Sequence, residues 1–211
     1  MGTIFVKEGT VLPARREHDL YETPEYAVRQ AIQLVNDDFS EQGDWPPRRV
    51  LDIGAGNGVW GEVARSFWPD ATIIGVEIRD TPKNDCYDYW LKGDFFDWLG
   101  RLQMLERFDL ITGNLPFGIV EKIIDRCWYL LRLPIDAEIF QPGGRLGLFL
   151  RLAFLEGQTR RDNLYRQCPL KKLGVYSKRV SFSENGKTNA TAHAFFLWQL
   201  GYRDSDFLRF F

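Results

Sequence analysis

The 211-residue chain has the composition of a folded globular protein, with 45% hydrophobic residues, 27% charged residues and a formal net charge of −2. No apolar run is long enough to span a membrane, and residues 1–17 lack the apolar stretch of a signal peptide. Three widely spaced cysteines and two histidines argue against a disulfide framework or a zinc site. We therefore expect a cytoplasmic protein without a metal centre or a membrane partner.

Strand and helix patterns alternate along the chain. Apolar runs predict strands near 49–53, 72–78, 90–93, 108–113, 145–152, 172–178 and 193–200. Helical spacing predicts helices near 24–36, 59–67, 82–89, 118–132 and 155–166. In the first helix, Thr23 is the expected N-cap and Pro24 the expected first helical residue.

This alternation is typical of a parallel sheet that is covered by helices on both faces. Only a loop separates the last two predicted strands, so that pair should be antiparallel. We therefore predict a Rossmann-like, doubly wound α/β fold, whose seven-stranded sheet is mostly parallel with one antiparallel strand near the C-terminus. Residues 1–211 are expected to form one domain, with 1–47 as an N-terminal helical extension and 48–200 as the core.

A glycine-rich loop follows the first predicted strand. Glycines at 54, 56 and 58 permit a tight turn and a close backbone approach to a ligand at a helix N-terminus. The dinucleotide-binding fingerprint would need its third glycine at the position of Val59, so the spacing differs from it. Asp52, at the end of the strand, favours a cationic or hydroxyl-bearing ligand over a pyrophosphate. A glycine-rich loop without a ligand is the alternative.

Two further acids stand at or after the ends of the next predicted strands. Glu77 ends the second strand, where its carboxylate can accept hydrogen bonds from both hydroxyls of a ribose, and Asp94 follows the third strand. Ligands of open α/β sheets bind outside the carboxyl ends of the strands. We therefore expect these acids and the glycine-rich loop at one edge of the sheet, although solvated surface acids are the alternative.

The segment Asn114-Leu115-Pro116-Phe117 follows the fourth predicted strand. The Asn114 side chain and the carbonyls of residues 114 and 115 offer hydrogen-bond acceptors, and Pro116 rigidifies the turn without adding a donor. Phe117 adds a flat apolar ring. Acceptors beside a ring suit a planar group with an –NH2, which is held through its protons and stacked on the ring. An ordinary strand-to-helix turn with a core Phe is the alternative.

Charge is distributed unevenly between the two parts of the chain. Residues 145–211 hold twelve Lys/Arg against five Asp/Glu, whereas residues 1–144 hold fifteen against twenty-four. Such asymmetry indicates a polyanionic partner such as nucleic acid, with a normally solvated surface as the alternative. The basic substrate-binding candidates are Arg151, Arg160, Arg161, Lys178, Arg179 and Lys187.

On these motifs the chain resembles the class I S-adenosylmethionine-dependent methyltransferases, and among them those that methylate N6 of adenine in nucleic acid. Residues 52–58 resemble the cofactor loop of that family, Glu77 its ribose-binding acid, and Asp94 its acid near the cofactor adenine. Residues 114–117 resemble its (Asn/Asp/Ser)-Pro-Pro-(Tyr/Phe) catalytic motif, with Leu in place of the first Pro. The ribosomal-RNA adenine dimethyltransferases share that departure. The resemblance spans residues 20–200.

The resemblance implies the class I methyltransferase fold, with S-adenosylmethionine as cofactor and S-adenosylhomocysteine as product. It implies a catalytic set of Asn114, Leu115, Pro116 and Phe117, and it implies that Phe182 or Arg179 helps to hold the target base as a substrate-binding residue. It implies a cofactor-binding set of Tyr21, Thr23, Pro24, Asp52, Gly54, Ala55, Gly56, Asn57, Glu77, Ile78, Asp94, Phe95 and Asn114.

The same resemblance favours DNA as the substrate, because residues 149–161 and 178–198 are similar to the C-terminal half of small phage-encoded adenine methyltransferases. RNA and the side-chain amide of a protein glutamine remain alternatives, since both present a planar –NH2. A degenerate methyltransferase fold that only binds is the non-enzymatic alternative. The sequence predicts no oligomeric state.

Overall fold

The computed structural model describes residues 22–134, 142–182 and 191–204. Its strands are β1 Arg49–Ile53, β2 Thr72–Glu77, β3 Tyr89–Lys92, β4 Leu110–Gly113, β5 Arg145–Arg151, β6 Lys172–Val175 and β7 His193–Gln199. Its main helices are α1 Glu25–Glu41, α2 Val59–Phe67, α3 Phe95–Met104 and α4 Val120–Cys127. Of the predicted site residues, Tyr21 and Lys187 lie outside the described residues.

The seven strands form one sheet in the order β3-β2-β1-β4-β5-β7-β6. All pairs are parallel except those of β7, which runs antiparallel to both β5 and β6. The predicted doubly wound fold with one reversed strand near the C-terminus is therefore confirmed. The direction of winding changes between β1 and β4, where Asp52 pairs with Thr112. A crevice for a ligand is expected outside the carboxyl ends of these two strands.

Helices cover both faces of the sheet, and the strand sequences explain why. Along β1, Val50 packs in the core on the α1 and α2 side, and Leu51 packs in the core on the α3 and α4 side. Every residue of β4 and β7 is buried. Strands that are buried on both faces need nearly continuous apolar runs, which is the pattern seen in the sequence.

The predicted helix near 82–89 was wrong. Asn84 Oδ1 accepts a hydrogen bond from the Cys86 N–H at 3.0 Å, a local turn that competes with helix formation, and β3 begins at Tyr89. The helix of this region is α3 instead. Asp94 begins it as the N-cap, and its Oδ1 accepts from the Phe96 N–H at 2.9 Å.

The predicted start of α1 also needs correction. Pro24, not Thr23, is the N-cap, because Pro24 has extended backbone angles (φ −59°, ψ 141°) and its carbonyl accepts from the Ala27 N–H. Within the described residues, the Thr23 hydroxyl accepts from the Asn114 side chain. The helix continues to Glu41, five residues beyond its predicted end.

Two elements of the C-terminal half are shorter than predicted. The single helix expected near 155–166 is instead a 3-10 turn at Leu152–Leu155, an α-helical turn at Gln158–Arg160 and a π-helical turn at Arg161–Tyr165. Gly157 separates the first two with a left-handed φ of 112°. Strand β6 ends at Val175 rather than at residue 178.

A buried group of charged residues closes the amino edge of the sheet, where the parallel strands begin. Arg145 is 0% exposed at the start of β5; its Nε donates to Asp38 Oδ2 at 3.1 Å and its Nη1 donates to Asp44. Lys171 Nζ donates to Asp38 Oδ2 at 2.9 Å and to Gln199 Oε1 at 2.7 Å. These bonds join α1 to the starts of β5 and β6 and to the end of β7.

Candidate active site

A cavity of about 490 Å³ opens at the opposite, carboxyl edge of the sheet. This volume falls in the range of small-molecule sites. Loops that follow four neighbouring parallel strands, and the segment before α1, contribute its walls. Twelve predicted site residues line it: Thr23, Gly54, Ala55, Gly56, Asn57, Glu77, Ile78, Asp94, Phe95, Asn114, Leu115 and Pro116. Pro24, Asp52 and Phe117 are not among the lining residues.

Glycine is required where the ends of β1 and β4 meet. A Cβ atom on Gly113 would lie 2.3 Å from the Ile53 carbonyl oxygen, a backbone atom that cannot move aside. Within the glycine-rich loop, Gly56 has a left-handed φ of 60°. A Cβ on Gly54 would lie 3.7 Å from the Asn114 carbonyl oxygen. The glycine-rich loop and the turn at Asn114 are therefore direct neighbours, as the motifs predict.

Glu77 connects two loops of the cavity wall. Its side chain is 3% exposed, its Oε2 accepts from the Gly56 N–H at 2.7 Å, and its Oε1 accepts from the Arg79 backbone N–H and Nε at 2.8 and 2.9 Å. Each carboxylate oxygen can accept two hydrogen bonds. A ligand hydroxyl could therefore bind Oε2, whereas a second hydroxyl on Oε1 would replace a bond from Arg79.

Asp52 lies behind the wall of the cavity rather than in it. The side chain is 1% exposed, and its Oδ2 accepts from the Tyr87 hydroxyl at 2.6 Å. Its Oδ1 has no hydrogen-bond partner among the described residues. Burial, reinforced by the charge of Glu77, raises the pKa of Asp52 from 3.8 to about 7. A direct contact between Asp52 and a cofactor stays a prediction.

The turn after β4 presents its residues in different directions. The Asn114 Nδ2 donates to Thr23 Oγ1 at 3.1 Å, while Leu115 is 2% exposed and packs in the core on the α3 and α4 side. Phe117 is half-buried, and the guanidinium carbon of Arg151 lies 4.0 Å from the centre of its ring. The ring is therefore held by a cation–π contact at the carboxyl end of β5.

The loops after β2 and β3 supply apolar groups and one acid. Ile78 is 49% exposed, and Phe95 is buried where it meets the cavity. The Asp94 side chain caps α3 and also lines the cavity. These residues give the cavity apolar contacts for a flat ring, with a carboxylate nearby for polar atoms on its rim.

The predicted basic residues divide into two groups. Arg151, Lys178 and Arg179 are exposed at or after the carboxyl ends of β5 and β6. Arg160 instead pairs with Glu121 at 3.1 Å, and its Nε donates to the Phe154 and Glu156 carbonyls.

Two other predicted substrate contacts also have partners within the protein. Arg161 pairs with Asp162 at 3.0 Å. The Phe182 ring packs edge-on against His193, with ring centres 4.9 Å apart. His193 itself is 3% exposed and packs among aromatic rings, and burial lowers its pKa to about 4.

Three residues of the site were missed by sequence reasoning. Arg79 could have been suspected, because it follows Glu77 by two residues at a strand end. Tyr87 gave no usable signal, since its contact with Asp52 depends on a turn that was predicted as helix. The position of Trp60 in the predicted helix 59–67 indicates a core residue; it is 2% exposed, and it also lines the cavity.

Within the described residues, no group of three or more His, Cys, Asp or Glu side chains could hold a metal ion. A search over the same ranges finds no helix of the length and apolarity that crossing a membrane requires.

Comparison with curated proteins gives two partial similarities, and no protein-family model matches the chain. Over 87 residues it is 34% identical to the type II methyltransferase M.CvrRI of Paramecium bursaria Chlorella virus XZ-6E. The aligned residues cover 37% of this chain and 21% of that protein. Over 129 residues it is 26% identical to the methyltransferase str2 of Strobilurus tenacellus, covering 54% and 47%. The chain therefore spans less than half the length of each of these relatives.

Solved structures show a similar fold at low sequence identity. An O-methyltransferase from Bacillus cereus in complex with SAH superimposes with a TM-score of 0.58 and 12% identity, over 85% of this chain and 83% of that chain. A precorrin-6y C5,15-methyltransferase from Geobacter metallireducens gives a TM-score of 0.51 and 15% identity, over 79% and 87%. With the strand order, these likenesses confirm the predicted Rossmann-like class I methyltransferase fold.

Proposed function

We propose that this protein transfers a methyl group from S-adenosylmethionine to the exocyclic N6 amine of adenine in DNA. One observation carries the proposal: the turn that begins at Asn114 and the glycine-rich loop line a single cavity at the point where the winding of the sheet reverses. A donor site and an acceptor site for a methyl group must lie side by side, and these two motifs do.

The cavity fits the proposed cofactor. Left-handed backbone at Gly54 and Gly56 brings main-chain atoms to its wall, and Glu77 Oε2 has room for one more hydrogen bond. Ile78 and Phe95 offer apolar contact for an adenine ring. When bound, S-adenosylmethionine supplies a methyl group that is activated by its positively charged sulfur. The residues present here would hold its methionine part at the glycine-rich loop, its ribose at Glu77 and its adenine between the loops after β2 and β3.

On the acceptor side, the turn after β4 would bind and orient the amine. The Asn114 side-chain oxygen and the Leu115 carbonyl would accept its two protons, and Phe117 would stack on the base. These acceptors aim the nitrogen lone pair at the cavity and stabilise the positive charge that develops on nitrogen. Within a duplex the amine is out of reach, so the adenine would be flipped out of the stack.

Exposed cations at the carboxyl edge support a nucleic-acid substrate. Arg151 lies at the end of β5, where its guanidinium contacts the Phe117 ring, and Lys178 and Arg179 follow β6 at the same edge of the sheet. Exposed cations at this edge can contact phosphates. The similarity to a viral type II methyltransferase supports methyl transfer as the reaction. A second candidate, RNA methylation, is favoured by Leu115, because Leu at this position is shared with the ribosomal-RNA adenine dimethyltransferases. Protein glutamine and a non-enzymatic binding role stay as further alternatives.

The test is transfer of radiolabelled methyl from S-adenosylmethionine to duplex DNA, ribosomal RNA and a mixed protein acceptor, offered separately. Digestion of the labelled DNA to nucleosides should place the label in N6-methyladenine. Label that enters only RNA or protein would replace the DNA proposal with that alternative. Cofactor binding without transfer to any acceptor would favour the binding role.

A further inference from the structure

A two-residue segment before α1 holds both loops of the candidate active site. Glu22 Oε1 accepts a hydrogen bond from the Asn57 side-chain amide of the glycine-rich loop. Thr23 Oγ1 accepts from the Asn114 side-chain amide at 3.1 Å, across 91 residues of sequence. All four residues line the cavity. Neighbouring residues of one segment therefore connect the cofactor side of the cavity to its acceptor side.

In the structure, the nitrogen end of the Asn114 carboxamide makes the bond to Thr23. The two ends of a carboxamide are opposite in hydrogen bonding, since the nitrogen donates and the oxygen accepts. Because Nδ2 is directed at Thr23, Oδ1 is on the other side of the amide. The N–H groups of a target amine need an acceptor such as Oδ1. If the amide nitrogen stood in that place, two donors would face each other.

Thr23 is itself well fixed for this task. It is 4% exposed, and the Pro24 ring that follows restricts the backbone, with φ at −59°. Pro24, not Thr23, is the N-cap of α1, and within the described residues the Thr23 hydroxyl bonds the Asn114 side chain. The hydroxyl therefore serves Asn114 rather than the helix that it precedes.

We propose that Thr23 is a positioning residue of this site, whose hydroxyl holds the Asn114 amide with its oxygen turned to the acceptor amine. This inference rests on the proposed function, because it assigns the bond a role in that reaction. It is distinct from cofactor binding, the role that the sequence resemblance implies for Thr23.

The test compares two substitutions that remove different halves of the side chain. Thr23→Val keeps the shape and loses the hydroxyl, and Thr23→Ser keeps the hydroxyl and loses the methyl. Loss of one neutral hydrogen bond should lower kcat of the Val variant about three- to tenfold, with the Ser variant within about twofold of wild type. A packing role predicts the reverse order, and that order would overturn the proposal.

A second pair covers the case in which Thr23→Val does not fold. Thr23→Ala and Thr23→Ser both lack the methyl group, so a lower kcat in the Ala variant alone reports the hydroxyl. Calorimetry with S-adenosylhomocysteine should give the same Kd in all folded variants. A loss of affinity that matches the loss of turnover would show that Thr23 binds the cofactor, and it would overturn the proposal. Equal turnover of the Ala and Ser variants would overturn it as well.

Failure of the proposed function is recognised separately, because the wild type would then transfer methyl to no acceptor. In that event the NMR resonances of the Asn114 side-chain –NH2, assigned by their loss in Asn114→Ala, still test the bond. They should shift in Thr23→Val and stay in place in Thr23→Ser. Resonances that do not respond to either substitution would overturn the positioning role.

Discussion

The two edges of the sheet carry buried charges in opposite arrangements. At the amino edge, Arg145 and Lys171 both donate to Asp38, so buried cations and carboxylate are paired. At the carboxyl edge, Asp52 has a phenol hydroxyl on one oxygen and no partner within the described residues on the other. With no cation beside it in the described part of the chain, desolvation by burial raises the pKa of Asp52 to about 7.

This difference separates stability from function within one sheet. Paired charges at the amino edge join α1 to β5 and β6, and a cavity is not needed there. The carboxyl edge keeps an open cavity, left-handed glycines and an acid with a shifted pKa, a combination that is concentrated at functional sites. Substitutions at the amino edge should therefore affect folding, and those at the cavity should affect ligands and turnover.

The largest effect is expected at the amino edge. Arg145→Met removes the fully buried cation between Asp38 and Asp44, although Asp38 keeps Lys171 and Asp44 keeps Arg132. Breaking a buried pair in this way typically costs up to about 3–5 kcal/mol of unfolding free energy. Urea unfolding measures it, with Arg29→Met as the matched control. Arg29 pairs with Glu25 on the exposed surface of α1, where the cost should stay below about 1 kcal/mol. Equal losses in the two variants would contradict the contrast between buried and exposed pairs.

The next effect is a pH dependence at the carboxyl edge. Between about pH 4 and 7 the unfolded chain ionises Asp52 while the folded protein keeps it protonated, so the stability contributed by this group falls as pH rises. Asp52→Asn cannot ionise and still accepts from Tyr87. The unfolding free energy of Asp52→Asn minus that of wild type should therefore increase as pH rises, by up to about 1.4 kcal/mol per pH unit across that range. A difference that does not change with pH would mean that Asp52 is ionised in the folded protein.

A smaller effect is expected for cofactor binding at Glu77. Removal of a charged hydrogen-bond acceptor costs about 1.5–3 kcal/mol, so Glu77→Ala should weaken S-adenosylmethionine affinity about ten- to a hundredfold. Calorimetry on the folded variant measures the change. Asp80→Ala is the control, because Asp80 is an exposed acid of the same loop that pairs with Lys92. Unchanged affinity in Glu77→Ala would remove the ribose assignment.

The smallest effect is expected in the salt dependence of DNA affinity, which should differ between variants of the two groups of basic residues. On duplex DNA, log K should fall with log salt by about 0.9 for each phosphate neutralised. Replacing Lys178 and Arg179 with Ala should flatten that slope, because both are exposed at the carboxyl edge. Replacing Arg160 and Arg161 should flatten it less, because both are engaged within the protein. A larger change in slope for the Arg160 and Arg161 variant than for the Lys178 and Arg179 variant would contradict this division of the basic residues.

The sequence predicted the fold and the edge that carries the cavity because both follow from local patterns. Apolar runs and the glycine-rich loop define β1 and α2 to the residue, and doubly wound topology then places the strand ends together. The helix near 82–89 failed because the Asn84 side chain forms a local turn there. The following helix, α3, was missed although Asp94 is a favoured N-cap, since the sequence reading gave that acid only a ligand role.

Contacts between distant residues were beyond the reach of sequence patterns. The bond from Asn114 to Thr23 joins positions 91 residues apart, and no spacing rule connects them. The same holds for Tyr87 and Asp52, and for Glu121, the ion-pair partner of Arg160. Composition identified residues 145–211 as the basic part of the chain, but only the fold shows which of its cations are exposed at the edge that carries the cavity.

The most direct test of the account is single-turnover methyl transfer to DNA by wild type and Asn114→Ala, with cofactor affinity measured on the same preparations. The account predicts a fall in rate on the order of a hundredfold or more, since a group that stabilises the transition state is lost, with nearly unchanged cofactor affinity. Transfer by Asn114→Ala at the wild-type rate would contradict it and would leave Asn114-Leu115-Pro116-Phe117 as a structural turn.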